Sequence, residues 1–270
     1  ESSDGFIQYD HWYTKSNEQG LVPFQYYLTI GGNAQQDSQP MKLIVDMDCL
    51  KKPLMVGGDG VIELGKDHRI SYYYCFSKIT VSGSITVHGI TEDVIGFAWI
   101  DHQWGDFLNQ NKPPYGLVIS YEWFSIKLND NREILAGDTW DQVTGEKINK
   151  SFSDGLNLLN NYGALEILED FTIVPESYWI EEHTQKVFAS KWHIIESSKT
   201  IDITIIPVYS RQVIRVGQDY PAIQQILEKI IPGSCFWEGV CTVSGTINGV
   251  PVQGKAYVEL THHYDNEYAK

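Results

Sequence analysis

The chain has 270 residues, of which 42% are hydrophobic and 13% aromatic, and this is enough to build a packed core. Thirty-five acidic against twenty basic residues give a net charge of -15, and Lys and Arg form no stripe, so neither nucleic acid nor an anionic lipid surface is expected as a partner. No apolar run reaches the roughly 18 residues of a membrane-spanning helix, so the composition predicts a soluble globular protein without a membrane span.

Short apolar runs rich in β-branched and aromatic residues, separated by Gly, Asn, Asp and Pro, predict antiparallel strands along most of the chain. The predicted strands are residues 24–30, 41–47, 70–87, 94–104, 116–128, 171–174, 187–195, 201–208 and 236–247. Segments 129–131 and 248–249 predict hairpin turns, because Asn, Asp and Gly accept the positive φ that such turns need. One short helix is predicted at 221–231, where Pro stands at the first position and apolar residues follow at helical spacing.

An internal echo links two distant parts of the chain. Residues 80–85 read TVSGSI and are followed by GFAWID at 96–101, while residues 242–247 read TVSGTI and are followed by GKAYVE at 254–259. The first copy has four more residues between its two Gly positions, which a longer hairpin would absorb. We therefore predict two related β-domains, 1–160 and 161–270, joined through the polar segment 138–163. The alternative to a duplicated domain is that a common hairpin sequence motif occurs twice in the chain.

Sequence signatures of several enzyme classes are absent, including the serine nucleophile elbow, the zinc-protease helix, the phosphate loop and the dinucleotide turn. No organic cofactor is therefore predicted. The cysteines Cys49, Cys75, Cys235 and Cys241 form no CxxC pair. Cys75 and Cys241 lie in strand-like runs, where a buried free thiol is the usual state, while a disulfide stays open.

A metal site is the less favoured interpretation of the histidines. His102 could bind a metal ion together with His11, His262 or His263, but scattered single histidines are usually structural. The sequence therefore predicts no metal.

Strand alternation sorts the side chains of the two echoed strands onto opposite faces. Trp99 and Asp101 share one face, and the smaller apolar side chains of residues 98 and 100 form the other, which we expect to face the core. In the second copy Tyr257 and Glu259 share a face in the same way. A carboxyl beside large rings is desolvated, which raises its pKa and suits it to donate a proton. Asp101 and Glu259 are thus candidate acids, against the alternative that they pair with basic groups or turn amides.

The same segments resemble one family over nearly the whole chain. Residues 10–13 (DHWY) resemble its opening WWY segment, residues 96–105 (GFAWIDHQWG) resemble its GxxWxDxxW signature, and residues 236–239 (FWEG) with 254–261 (GKAYVELT) resemble its closing YWEG and GxGYxELT segments. This is the family of carotenoid 1,2-hydratases (hydroxyneurosporene synthases) and AttH-type proteins, which includes kievitone hydratase. The chain departs from it at His11, where the family has Trp, and at Lys255-Ala256 within the last motif.

The resemblance implies two lipocalin-like antiparallel β-barrel or sandwich domains with an apolar pocket and no organic cofactor. It implies a cofactor-independent hydratase, isomerase or cyclase acting on an apolar polyene, isoprenoid or polyketide-like substrate bound between the two domains. Asp101 would donate the proton, oriented by His102, and Glu259 would position water or accept a proton. The side chains predicted to bind the substrate are Trp12, Tyr13, Trp99, Trp104, Trp123, Trp237 and Tyr257.

Two alternatives use the same pocket without an acid. One is a lipocalin-like carrier that binds a lipid or pigment, and the other is a pericyclase of the Diels-Alderase type, which needs only shape and a hydrogen-bond donor. The oligomeric state and the compartment stay open. A chain that begins at Glu1 fits a cytoplasmic protein or one secreted after signal removal.

Overall fold

The computed structural model describes residues 2–3, 6–9, 12–16, 25–33, 38–64, 69–105, 119–141, 144–148, 155–215 and 235–265. Every regular element within these ranges is a β-strand, so the predicted all-β class is confirmed. The strands are β1 (Ser2–Ser3), β2 (Phe6–Tyr9), β3 (Trp12–Ser16), β4 (Gln25–Asn33), β5 (Pro40–Cys49), β6 (Leu54–Met55), β7 (Val61–Leu64), β8 (Arg69–Val87), β9 (Ile90–Gly105), β10 (Ile119–Leu128), β11 (Glu133–Asp141), β12 (Leu156–Leu159), β13 (Leu165–Leu168), β14 (Phe171–Ile180), β15 (Val187–Glu196), β16 (Ile201–Pro207), β17 (Val213–Arg215), β18 (Cys235–Ile247) and β19 (Val250–Leu260). The predicted helix at 221–231 lies outside the described residues.

The described strands form two sheets. Sheet A has nine strands in the order β1-β2-β3-β4-β5-β8-β6, and β7 and β9 also pair with β8. Sheet B has ten strands in the order β13-β12-β11-β10-β19-β18-β16-β15-β14, and β17 also pairs with β18. Long antiparallel ladders join β4 to β5, β10 to β19 and β18 to β19. Two antiparallel sheets of this kind fit the predicted lipocalin-like fold.

Each of the nine predicted strands overlaps a strand of the structure, although Val208 lies beyond the end of β16. The segment 138–163 differs from the prediction of a plain connection, because it contains the end of β11 and the whole of β12. The side chains of Leu156, Leu158 and Leu159 are buried, which makes β12 a core strand although its neighbours in sequence are polar.

The chain divides into two compact units. Unit 1 consists of Glu1–Pro53 and Cys75–Asp101, and unit 2 consists of Leu54–Tyr74 and His102–Lys270. Strands β8 and β9 thus contribute residues to both units. The domain limits of 1–160 and 161–270 stay a prediction, and Asn160 lies in the turn that joins β12 to β13.

The internal echo corresponds to two hairpins, one in each sheet. The turn between β8 and β9 is His88-Gly89, with φ values of 50° and 75°. The turn between β18 and β19 is Asn248-Gly249, with φ values of 52° and 73°. Positive φ at both central residues marks the two-residue turn whose twist suits a hairpin, and Asn and Gly adopt it readily.

The four extra residues of the first copy lengthen both arms of its hairpin. Gly83 stands five positions before His88, whereas Gly245 stands three positions before Asn248. On the other side of the turns, Gly96 is seven positions beyond Gly89 and Gly254 is five beyond Gly249. Each arm is therefore two residues longer in the first copy, which gives the longer hairpin that the sequence predicted.

Gly83 and Gly245 also play the same packing role in their two sheets. A Cβ atom at Gly83 would collide with the carbonyl oxygen of Ile44 on β5, and one at Gly245 would collide with that of Asp202 on β16. Both strands therefore approach their neighbour at a point where only glycine fits.

The core of unit 2 lies on one face of sheet B, which we call its inner face. In β19 the side chains of Ala256, Val258 and Leu260 belong to this core, as predicted for the second copy. The same prediction is wrong for the first copy, because Ala98 and Ile100 of β9 are only partly buried. Among the described strands β9 pairs with β8 alone, whereas β19 lies between β10 and β18.

All four cysteines are free thiols, which answers the question of a disulfide. Cys75 and Cys241 are fully buried, as expected from their strand positions, and so is Cys235. Burial raises the pKa of the Cys241 thiol to about 12. Within the described ranges no helix is long and apolar enough to cross a bilayer.

Candidate functional site

Asp101 lies near the end of β9 in unit 1, where its Oδ1 atom accepts two hydrogen bonds. The Sγ of Cys75 donates across 2.7 Å and the indole Nε1 of Trp99 donates across 2.9 Å. Trp99 is two residues earlier on the same strand face, so alternation alone brings its indole to the carboxyl. The Asp101 side chain is exposed. Such donors stabilise the charged form of a carboxyl, and these two fix the orientation of the Asp101 side chain.

His102 belongs to an aromatic cluster of unit 2. Its Nδ1 atom is 2.7 Å from the hydroxyl of Tyr74, whose pKa is raised by burial. Trp104 stacks on Tyr72 at 5.4 Å between ring centroids and lies 4.7 Å from the His102 ring. The rings of Tyr72 and Trp104 are 43% and 46% exposed, so they offer an apolar surface to a ligand. The role of His102 in orienting Asp101 stays a prediction.

Glu259 and Tyr257 lie on the outer face of sheet B, which is the face opposite to Val258 and Leu260. The Tyr257 hydroxyl donates a 2.8 Å hydrogen bond to Oε2 of Glu238, and Glu238 stands directly opposite Glu259 in the β18–β19 ladder. Burial, with a smaller effect of the nearby carboxylates, raises the pKa of Tyr257 and that of Tyr121, which forms a side-chain hydrogen bond with Glu259. Two carboxyls and two phenols thus meet on this face. Sequence analysis missed Glu238, although the FWEG segment places it on the face opposite to Trp237.

The remaining predicted aromatic residues lie in different places. Trp237 is in the core of unit 2, and its Nε1 donates to the backbone oxygen of Ser210 across 2.7 Å. Trp123 is buried on the outer face of sheet B, opposite Glu259 in the β10–β19 ladder. Trp12 and Tyr13 form part of β3 in sheet A.

The described residues contain no group of three or more His, Cys, Asp and Glu side chains with metal-binding geometry. His262 Nδ1 is 2.9 Å from the Ser120 hydroxyl, and His263 Nε2 is 3.1 Å from the Cys235 backbone oxygen. Burial lowers the pKa of His262 to about 3 and that of His263 to about 4, so both rings are neutral near pH 7. His11 lies outside the described residues.

A second polar site, which the sequence analysis did not find, lies on the inner face of sheet B. Glu122 of β10 is 1% exposed and stands two residues before Phe124 of the core. The Tyr264 hydroxyl donates a 3.0 Å hydrogen bond to its Oε1 atom, while Oε2 has no hydrogen-bond partner. Burial raises the pKa of Glu122 to about 8, so the carboxyl is mostly a neutral acid at pH 7.

The groups around Glu122 are aromatic or already paired. Asp138 stands directly opposite it in the β10–β11 ladder and accepts a 2.6 Å salt bridge from Lys147. The indole of Trp192, which is 0% exposed, lies close enough to lower the pKa of Glu122, yet its N–H makes no hydrogen bond of normal geometry. We call these residues, with the rings that contact Tyr264, the Glu122 cluster: Ser120, Glu122, Asp138, Trp140, Tyr178, Trp192, His262 and Tyr264.

The raised pKa of Glu122 predicts a loss of stability as the pH rises. Between its ordinary pKa of 4.5 and about 8, the folded chain keeps a proton that the unfolded chain has released. The free energy of unfolding therefore falls with rising pH over this window, by up to about 1.4 kcal/mol per pH unit from this one group. Thermal unfolding of wild type and Glu122→Gln from pH 5 to pH 9 measures the effect. The wild-type curve is expected to fall more steeply, and parallel curves would contradict the assignment.

Comparison with known proteins identifies the family. The model of the AttH-like family matches residues 2–263. The fold is similar to that of an AttH protein from Nitrosomonas europaea, with a TM-score of 0.71 and 22% identity over 96% of this chain and 71% of the other. It is also similar to kievitone hydratase from Nectria haematococca, with a TM-score of 0.66 and 18% identity over 94% of this chain and 69% of the other.

A comparison with curated protein sequences gives no match. The family assignment depends on the family model, which covers nearly the whole chain in agreement with the motif resemblance, while the two solved structures show the shared fold. The chain belongs to the AttH-like family.

Proposed function

We propose that the protein is a cofactor-independent hydratase, isomerase or cyclase that acts on an apolar polyene, isoprenoid or polyketide-like molecule. Asp101 is the proton donor of this proposal. The observation that carries it is the geometry of Asp101, whose Oδ1 accepts from Cys75 and Trp99 while the side chain stays exposed. An acid that must meet a substrate needs a fixed orientation and an accessible carboxyl, and Asp101 has both.

The exposed carboxyl of Asp101 lacks an apolar environment, and an apolar substrate supplies it. When such a molecule covers Asp101 it removes water from the carboxyl, which raises the pKa and favours the protonated form. The acid then transfers its proton to a carbon of the double bond, and the carboxylate remains held by the Cys75 and Trp99 donors. The face of a nearby aromatic ring stabilises the resulting cation by about 0.5–2 kcal/mol.

Three outcomes follow from that cation. Addition of water followed by loss of a proton gives a hydrated product, attack by a second double bond gives a ring, and loss of a different proton gives an isomer. A base is needed in each case, and Glu259 on the outer face of sheet B is the proposed group. That Asp101 and Glu259 act on one substrate stays a prediction.

The similarity to kievitone hydratase supports the hydration branch, since a protein of that name has the same fold. At 18% identity the fold alone is shared, so the choice among hydration, cyclisation and isomerisation belongs to the proposal.

A lipocalin-like carrier is the second candidate, and an apolar groove in unit 1 favours it. The groove has a volume of about 200 Å³ and lies across β4, β5 and β8. Its lining residues are Ile30, Gly31, Gly32, Asn33, Met41, Lys42, Leu43 and Ile85. A groove with this lining offers an apolar ligand contact area without a carboxyl to act on it.

Deuterium incorporation separates the enzyme from the carrier and from a pericyclase. Apolar molecules that co-purify with the protein are extracted, identified by mass spectrometry, and added back in heavy water with a chelator and no nucleotide. Hydration, cyclisation or isomerisation begun by Asp101 places one solvent deuterium on a product carbon. A carrier returns the molecule unchanged, and a pericyclase gives a product without deuterium. Either of these last results would overturn the proposal.

A further inference from the structure

Strand β9 carries a row of exposed apolar side chains within unit 1. Ile95 is 90% exposed and Phe97 is 65% exposed, and Trp99, which is partly buried, follows at the same spacing. Residues two apart on a strand share a face, so these three side chains lie on one face of β9. We call Ile95, Phe97 and Trp99 the β9 row. Asp101 is the next residue on the same face.

The β9 row ends at the carboxyl of Asp101. The indole Nε1 of Trp99 donates a 2.9 Å hydrogen bond to Oδ1 of Asp101, so the last ring of the row lies directly beside the carboxyl. A strand rises about 3.3 Å per residue, which places Phe97 about 13 Å and Ile95 about 20 Å from Asp101 along β9. The row therefore offers an apolar surface that begins at the proposed acid and has the length of an extended chain molecule.

The hairpin does not need apolar side chains at these exposed positions. In the echoed hairpin, GKAYVE of β19 corresponds to GFAWID of β9, so Lys255 stands where β9 has Phe97. Directly before the two glycines, Gln253 stands where β9 has Ile95. Lys255 and Gln253 are exposed as well. The same strand face is thus polar in one copy and apolar in the other, and a contiguous exposed apolar patch indicates a binding surface.

The charges of β9 favour a neutral molecule over a second copy of the chain as the occupant. Residues 90–105 contain the exposed carboxyl groups of Glu92, Asp93 and Asp101, and they contain neither Lys nor Arg. A second copy would bring the same strand and a net charge of -15 against this face, which like charges oppose. A neutral apolar molecule meets no such repulsion.

We propose that the β9 row binds the apolar tail of the substrate, and that the substrate is an elongated molecule whose tail extends from Asp101 past Phe97 to Ile95. This inference rests on the proposed function, which places the reacting double bond at Asp101. Phe97 and Ile95 are then specificity-determining residues, because each contributes affinity only for a molecule long enough to reach it. The affinity comes from the apolar area that the tail and the row remove from water.

The test uses geraniol, farnesol and geranylgeraniol, three apolar alcohols that contain two, three and four isoprene units. Each extended unit adds roughly 5 Å, somewhat less than the spacing of residues that share a strand face. The hydroxyl end is expected at the Asp101 carboxyl. Geraniol then covers Trp99, farnesol reaches Phe97 and geranylgeraniol reaches Ile95.

Dissociation constants of the radiolabelled alcohols are measured by equilibrium dialysis for wild type, Phe97→Gln and Ile95→Gln. Ile90→Gln is the matched control, because Ile90 is 66% exposed but lies on the other face of β9. Thermal unfolding shows that each variant folds. We expect little loss of stability, since all three substitutions are exposed and the echoed hairpin carries Gln253 at one of these positions.

A longer chain binds any apolar surface more tightly, so the gain that each variant loses, and not the rise itself, tests the β9 row. In wild type, farnesol is expected to bind roughly tenfold more tightly than geraniol, and geranylgeraniol roughly tenfold more tightly again. Phe97→Gln loses the first gain. Ile95→Gln keeps the first gain and loses the second. Both variants bind geraniol as wild type does, and Ile90→Gln keeps both gains.

Wild-type gains in Phe97→Gln and Ile95→Gln would overturn the proposal, and so would equal losses in Ile90→Gln. This experiment needs no turnover, so its result is separate from that of the deuterium experiment. Unchanged gains together with deuterium incorporation would overturn the β9 row and leave the proposed reaction intact. Lost gains without deuterium incorporation would support the row as a binding surface and overturn the proposed reaction.

Discussion

Replacing Asp101 by Asn is expected to lower turnover of the true substrate by roughly 100-fold or more, the usual contribution of a general acid. The structure makes this substitution conservative in shape. The Asn oxygen can take the place of Oδ1 and still accept from Cys75 and Trp99 across 2.7 and 2.9 Å in the native arrangement. The NH₂ group then replaces the second carboxyl oxygen, which removes the transferable proton. Steady-state kinetics with substrate binding measured separately gives the effect.

Two further variants show whether the effect belongs to the acid. Trp99→Phe removes one donor to Oδ1 but leaves the carboxyl, so we expect a smaller loss of turnover than in Asp101→Asn. Glu259→Gln tests the proposed base on sheet B. In a carrier Asp101→Asn changes affinity at most, and in a pericyclase it costs much less rate. A folded Asp101→Asn variant with wild-type turnover would exclude Asp101 as the acid.

Part of the Asp101 environment is predictable from sequence, and part depends on the tertiary structure. The contact between Trp99 and Asp101 follows from strand alternation, because residues two apart share a face. The contact with Cys75 depends on how β8 lies against β9, and nothing in the sequence fixes that distance. The desolvated acid that the sequence predicted stays a prediction, and the Asp101 side chain is exposed in the structure.

The inward position of Glu122 could not be predicted from the sequence, for a different reason. The strand at 116–128 can be predicted, but its two faces carry similar mixtures of polar and aromatic side chains. Ser120, Glu122 and Phe124 lie on one face, and Tyr121 and Trp123 lie on the other. Both faces are largely buried in the structure, so hydrophobic alternation cannot say which one joins the core. Only the register with β11 and β19 shows that Glu122 points inward beside Asp138 and Leu260. A carboxyl that alternates with Phe124 and Ile126 was the available signal.

The fold was easier to predict because its signals are local. Hairpin turns need positive φ, so the Asn-Gly turn at 248–249 was expected, and the structure has a His-Gly turn at 88–89 in the other copy of the echo. The strand β12 was missed because four residues of LNLL in a polar neighbourhood are too few to show a period. Its burial comes from pairing with β11 and β13.

Replacing Gly245 by Ala is expected to lower the free energy of unfolding by about 2–4 kcal/mol, the upper part of the range for overpacking. The added Cβ would collide with the carbonyl oxygen of Asp202, a backbone atom that can move only if β16 and β18 separate. Gly83→Ala is the equivalent change in sheet A, where the obstacle is the carbonyl oxygen of Ile44. Gly96→Ala is the matched control, because a Cβ there meets nothing within 4 Å. Urea unfolding of the three variants gives the differences directly.

Hydrogen exchange on the same variants tests whether the echoed hairpins belong to independent domains. If they do, Gly245→Ala speeds exchange in sheet B, around residues 201–207 and 235–260, and leaves residues 40–49 and 79–87 of sheet A at their wild-type rate. Gly83→Ala is expected to do the reverse, because its collision separates β5 from β8. Faster exchange in both sheets from either substitution would show one cooperative unit and contradict the two-domain prediction. If Gly83→Ala and Gly245→Ala are instead as stable as Gly96→Ala, the neighbouring strands can move apart to accept the Cβ atom. The close strand approach would then not explain why both copies have glycine in the TVSG motif.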